Sequence, residues 1–101
     1  MGSRLKLQEG LENLLGTRNV YFQPPPSLKM KYPCIVYERA RIDTDYADNS
    51  PYILNKVYYV TYIGDDPDSD IPDKLARFQY SAFQRHYVSE NLYHDQFRIV
   101  Y

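Results

Sequence analysis

Leucines recur at Leu7, Leu11, Leu14 and Leu15 in the stretch RLKLQEGLENLLG, the i, i+4, i+7, i+8 spacing that lines one face of a helix. Ser3 stands where it can cap the start, and Gly16 suits the left-handed position after the end. Gly10 costs roughly 1 kcal/mol relative to alanine inside a helix, so this helix is expected to lean on tertiary packing. The pattern then changes period. Val20 to Phe22 predicts a short strand, and Pro24 to Pro26 stops any ladder and favours an extended, stiff connector or edge.

A long alternation follows over Cys34 to Ile42, with Cys34, Val36 and Ala40 on one face and Ile35, Tyr37 and Arg39 on the other. A second covers Lys56 to Ile63, where Val57, Tyr59, Thr61 and Ile63 alternate with Tyr58, Val60 and Tyr62. Between them lies a polar connection, Asp43 to Tyr52, containing the turn formers Asn49, Ser50 and Pro51. The two strands therefore read as a long hairpin with a flexible tip loop over residues 43–52.

Ile71, Leu75 and Phe78 restore helical spacing, with Pro72 in the first turn where its missing N–H costs nothing. Two more strands, YSAFQRHYV and HDQFRIVY, close the chain. The predicted order is α-β-β-β-α-β-β. That is an α+β domain, a mostly antiparallel sheet with two helices on one face. Its 101 residues make one domain, residues 1–101, of which 1–3 read as a cloning remnant.

Composition adds one bias: 12 tyrosines and no tryptophan. Tyrosine suits both half-buried strand surfaces and subunit interfaces, so the bias fits an amphipathic sheet or a sheet that meets copies of itself. Net charge is −1, from 12 basic and 13 acidic residues, which supplies no footprint for nucleic acid or an anionic membrane. No run of apolar residues is long enough to span a bilayer, and no apolar signal core opens the chain. The single cysteine, Cys34, cannot form an internal disulfide and suits a reducing compartment.

The candidate chemistry centres on GDDPDSDIPDKL, which holds four aspartates between Asp65 and Asp70. Asp66, Asp68 and Asp70 match positions 1, 3 and 5 of a calcium loop, but Ile71 and Arg77 stand where its glycine and bidentate glutamate belong. Carboxylates act as acid and base only where a pocket separates their pKa values, and this Pro- and Ser-containing loop reads as solvated. His86, His94 and Cys34 follow no metal or nucleophile spacing. The cluster reads best as a helix start. Ser69 or Asp70 accepts from the first free N–H groups, and the acidic residues face the positive end of the dipole. Neither an enzyme, a metal nor another cofactor is expected.

The motifs RNVYFQPP, YPCIVYER, YADNSPY, DPDSDIPDKL and NLYHDQF together resemble a family of small proteins of prophages and long-tailed phages of Firmicutes. Over nearly the whole chain, from about Arg4 to Tyr101, it is similar in length and element order to the tail terminator, or tail completion, proteins of the head-to-tail junction. The resemblance implies a virion structural protein of the tail or neck that passes through the host cytoplasm during assembly. It implies a ring, commonly of six subunits, that caps the tail tube and receives the neck of the filled head. The implied partners are further copies of the chain, the major tail protein and head-completion or neck proteins, with no membrane and no specific nucleic acid. A head-completion or neck connector protein is the nearest alternative. A nucleic-acid module, with bases stacked on sheet tyrosines, is a further one. A closed ring needs two unlike faces on each subunit. The expected contacts are Asp43, Asp45, Tyr46, Asp48, Tyr52, Tyr58, Tyr62, Asp65, Asp66 and Asp68, tyrosines for interface area and aspartates to pair with a neighbour's arginines.

Overall fold

The computed structural model describes the backbone of residues 4–47, 50–78 and 80–100, and their side chains except those of 43–47 and 50–55. The elements are α1 (Arg4–Leu15), β1 (Val20–Phe22), β2 (Cys34–Ala47), β3 (Ser50–Gly64), α2 (Ile71–Ala76), β4 (Ser81–Ser89) and β5 (Leu92–Val100). Among the described residues they form one sheet of five strands, ordered β1-β2-β3-β5-β4. The α+β class and the α-β-β-β-α-β-β order expected from the sequence are both present. The ladders are antiparallel except β1 with β2, which run parallel in the register Val20↔Ile35, Tyr21↔Val36, Phe22↔Tyr37.

Alternation along each strand decides the core. Register places Ile35 beside Tyr62 and Tyr37 beside Val60, and Val60 in turn beside Phe97. Ile35, Tyr37, Tyr58, Val60, Tyr62, Phe97 and Ile99 thus point to one face, where they pack with Leu7 and Leu11 of α1 and Ile71 and Leu75 of α2. Each such side chain, when fully buried, contributes about 1.5–3 kcal/mol. α1 lies over β1 and β2, while α2 meets β4 and β5. α1 is also held by polar contacts. The Tyr37 hydroxyl donates to Gln8 Oε1 at 2.5 Å and accepts from Arg4 Nη1 at 3.1 Å, and Gln8 Nε2 donates to the Val20 carbonyl at 2.9 Å. The Arg4 guanidinium stacks 4.6 Å above the Phe22 ring.

The expected ten-residue tip loop is replaced by strand. β2 continues to Ala47 and β3 begins at Ser50, with Asp43 opposite Asn55, Thr44 opposite Leu54 and Asp45 opposite Ile53. A two-stranded ladder satisfies backbone N–H and C=O groups whatever the side chains are, so local polarity did not exclude it. Thr44, Tyr46, Tyr52 and Ile53 are, moreover, good strand formers. Asp48 and Asn49 lie outside the described residues.

Candidate functional site

The contact residues expected from the sequence, where they are described, lie in different parts of the fold. Tyr58 and Tyr62 are 1% and 3% exposed, in the core beneath the helices, which corrects their assignment as subunit contacts. Both faces of β3 carry tyrosine, and the helices cover the even-numbered one. Tyr62 folds over Gly64: a Cβ there would lie 2.6 Å from the Tyr62 hydroxyl oxygen, so only glycine fits under it. Asp65, Asp66 and Asp68 are exposed in the turn that follows β3. Asp43, Asp45, Tyr46 and Tyr52 lie near the other end of the β2/β3 hairpin, on backbone whose side chains are outside the description, and Asp48 is outside it altogether. The two acidic segments are thus separated by most of β3, in a molecule whose longest extent is 51 Å.

The acidic turn does open a helix, though by a different residue from the aspartate nearest it. Ser69 Oγ accepts from the Ile71 N–H at 3.3 Å, whereas Asp70 makes no side-chain cap bond. Asp66 Oδ1 accepts from the Asp68 N–H at 2.9 Å and so folds the turn locally. Cys34 and His94 fall in one cross-strand row with Ile63 between them, while His86 lies on the opposite face, paired with Asp95 at 2.6 Å. These three residues are therefore not brought together. Cys34 is fully buried, and burial pushes its thiol up to about 11, which disfavours the reactive thiolate.

Among the described residues, the fold presents an open edge. β4 ends the sheet, and its nine residues offer a row of N–H and C=O groups beyond those bonded to β5. On this strand Phe83 is 56% and Val88 59% exposed, and Tyr80 just before it is 72% exposed. They stay uncovered because α2 is only six residues long and spends Ile71 and Leu75 on the inner core. The Phe83 ring meets Phe97 edge-on at 5.4 Å, so one side of it is anchored and the other faces water. The opposite face of the same strand is braced by stacking. Arg85 lies 4.6 Å over Tyr87, and Tyr87 stacks on His94 at 4.6 Å. His94 Nδ1 donates to the Leu92 carbonyl at 3.0 Å; a carbonyl only accepts, so this nitrogen carries the proton. Glu90 and Asn91, with φ of 52° and 64°, make the tight left-handed turn that joins β4 to β5. The result is an edge strand that exposes Phe83 and Val88 beside the exposed polar residues Gln84, Arg85 and His86.

The other sheet edge differs. β1 has three residues and runs into Pro24–Pro26, so it offers little template for another strand. The sequence predicts β4 as a strand but not as the edge of the sheet, because edge position is a property of strand order. One signal was available: residues 81–89 contain Phe83, Tyr87 and Val88 and no Asp or Glu.

Compared with protein-family models and with curated proteins, the chain matches none.

Proposed function

We propose that this chain is a phage virion structural protein of the tail terminator, or tail completion, type, which caps the tail tube by self-assembly into a ring and takes part in head-to-tail joining. Support for phage origin comes from the motif resemblance. Support for work by assembly comes from one observation, the uncovered β4 edge with Phe83 and Val88 in water. An edge of this kind is a liability unless a partner covers it. Large apolar side chains anchored on one side are the groups that carry binding energy once the other side is also buried. In this reading the subunit supplies geometry and surface rather than chemistry. Its partners are further copies, the major tail protein and the neck of the head, and it resides in the virion tail or neck after assembly in the host cytoplasm.

The test uses tails arrested before termination. Purified protein is added and the tube ends are imaged by electron microscopy. A ring-shaped cap that is lost with Phe83→Ser, while that variant keeps its far-UV circular dichroism and melting transition, supports the reading. Tubes that stay bare at saturating protein reject it. Deleting the gene separates termination from the adjacent role: overlong headless tails mark a terminator, and normal-length tails beside filled heads mark a neck connector.

A further inference from the structure

We infer that the acidic turn between β3 and α2 of one subunit docks on an arginine pair, Arg85 and Arg98, on the sheet face of a second copy, so that subunits meet head to tail. This rests on the self-assembly reading above. Both helices pack on one face of the sheet. Cross-strand register assigns the other face row by row: Glu38, Tyr59, Arg98 and Ala82 form one row, and Val36, Thr61, Gln96 and Arg85 the next. Arg85 is therefore diagonal to Arg98 on the neighbouring strand, which sets two like charges together. Asp95 lies on the helix side, paired with His86, so β4 and β5 bring no carboxylate to the arginine face. Glu38 stands two strands from Arg98, across Tyr59. Arg85 is exposed and lies over Tyr87, and Arg98 Nε is shut off from water without an acceptor among the described residues.

The same chain carries the complement of this patch. Residues 65–77 hold Asp65, Asp66, Asp68, Asp70 and Asp73 against Lys74 and Arg77, and Lys74 already lies 3.6 Å from Asp70. Asp65, Asp66 and Asp68 are exposed, and Asp66 Oδ1 is engaged with the Asp68 N–H. The carboxylates of Asp65 and Asp68 remain for a neighbour's guanidinium groups. The turn leads into α2 on the helix side, whereas the arginines lie on the other side of the sheet, so the two patches do not meet within one subunit. Turn against turn sets aspartate beside aspartate, and patch against patch sets arginine beside arginine. Turn against patch is the pairing that brings opposite charges together. Exposed ion pairs alone contribute little, so charge selects the partner while the half-buried Tyr59 and Tyr87 beside the arginines supply contact area. A carboxylate brought against Arg98 also gives its guanidinium a hydrogen-bond acceptor. A polyanion such as nucleic acid fits less well, because a net charge of −1 gives no steering and Glu38 flanks the patch. Because turn and patch are different surfaces, each subunit uses one to give and one to receive, as ring closure requires.

The experiment uses two full-length chains, Asp68→Cys and Arg85→Cys, both changed at exposed positions and each first checked for a native melting transition. Buried Cys34 remains in both, and the unsubstituted chain serves as its control. Chains are mixed at high concentration under mild oxidation, with and without arrested tails, and disulfides are mapped by mass spectrometry. A 68–85 disulfide between chains in the mixture, absent from either chain alone, is the expected result. In a parallel arm, Arg85→Glu weakens self-association in sedimentation velocity by about tenfold or more, and adding Asp68→Arg to the same chain recovers it. Self-linking of either cysteine chain through position 68 or 85 would mean that like patches meet and would overturn the inference. Binding of a single-stranded oligothymidylate that Arg85→Glu abolishes, with self-association unchanged, would assign the face to nucleic acid and overturn it as well. Caps on tails without the 68–85 link overturn it too, yet leave tail capping in place. Bare tubes with the link formed uphold the docking and reject tail capping.

Discussion

Gly10 of α1 lies against the ring of Phe78, so close that a Cβ at Gly10 would meet the ring carbon Cζ at 3.3 Å. The glycine that weakens α1 as an isolated helix therefore lets it approach the segment after α2. The two effects oppose each other, one worth about 1 kcal/mol in favour of alanine and the other a tight contact that Phe78 relieves by a small shift. Gly10→Ala is expected to leave stability within about 0.5 kcal/mol of the parent, and Gly10→Val to cost about 1–3 kcal/mol. Urea unfolding measures both. The valine cost should shrink when Phe78→Ala is added.

Tyr37 ties α1 to the sheet through a hydroxyl that donates to Gln8 and accepts from Arg4. Tyr37→Phe keeps the packing and leaves those two groups short of a partner. A loss of about 1–2 kcal/mol is expected, with most of it absent when the change is made in a Gln8→Ala background. A double-mutant cycle by chemical denaturation checks this. Additive losses would mean that the hydroxyl contributes independently of Gln8.

Alkaline pH should destabilise the fold through two buried groups. Burial raises the Cys34 thiol from 9.0 to about 11, and burial is likewise the main cause that raises the Tyr37 phenol. In both cases the folded chain holds the proton more tightly than the unfolded chain. The Cys34 contribution is complete below about pH 9 and is lost as pH rises through about 11, a change on the order of 2–3 kcal/mol. Unfolding free energy measured across that window should fall, and fall less steeply in Cys34→Ala. An equal slope in the variant would rule out the thiol as a source.

Asp70 holds the N-cap position of α2 without a side-chain bond, and Ser69 supplies the side-chain acceptor for the Ile71 N–H. Ser69→Ala is expected to cost about 0.5–1 kcal/mol and Asp70→Ala less. Calcium added to the native protein should give only weak, unsaturated amide shifts over residues 65–70. Saturation at micromolar calcium would reject the reading of this turn as a helix start.

The hairpin should be uneven in solution. Among the described residues no third strand flanks the Thr44–Leu54 pair, while the Tyr37–Val60 pair lies between β1 and β5. Amides of Thr44 and Leu54 are expected to exchange with deuterium well before those of Tyr37 and Val60. Equal exchange at the two pairs would mean that the outer hairpin is held as firmly as the inner one.

Much of this architecture is local, and for that reason it was legible in the chain. Leu7 and Leu11 are buried as their spacing requires, Gly16 takes φ of 84° after the helix, and Ile71 and Leu75 seat α2. Turn and cap residues act over a few positions, and helix and strand periods are carried by the side chains themselves. Tertiary structure alone decided the rest. Alternation in β3 separates Tyr58 and Tyr62 from Tyr59 but does not say which side the helices cover, so two core tyrosines read as interface residues. Local polarity marked Asp43 to Tyr52 as a loop, although backbone pairing across the hairpin makes most of it strand. Above all, no local signal orders the strands β1-β2-β3-β5-β4. Strand order follows from contacts between residues far apart in the chain, and it is what leaves Phe83 and Val88 at an open edge.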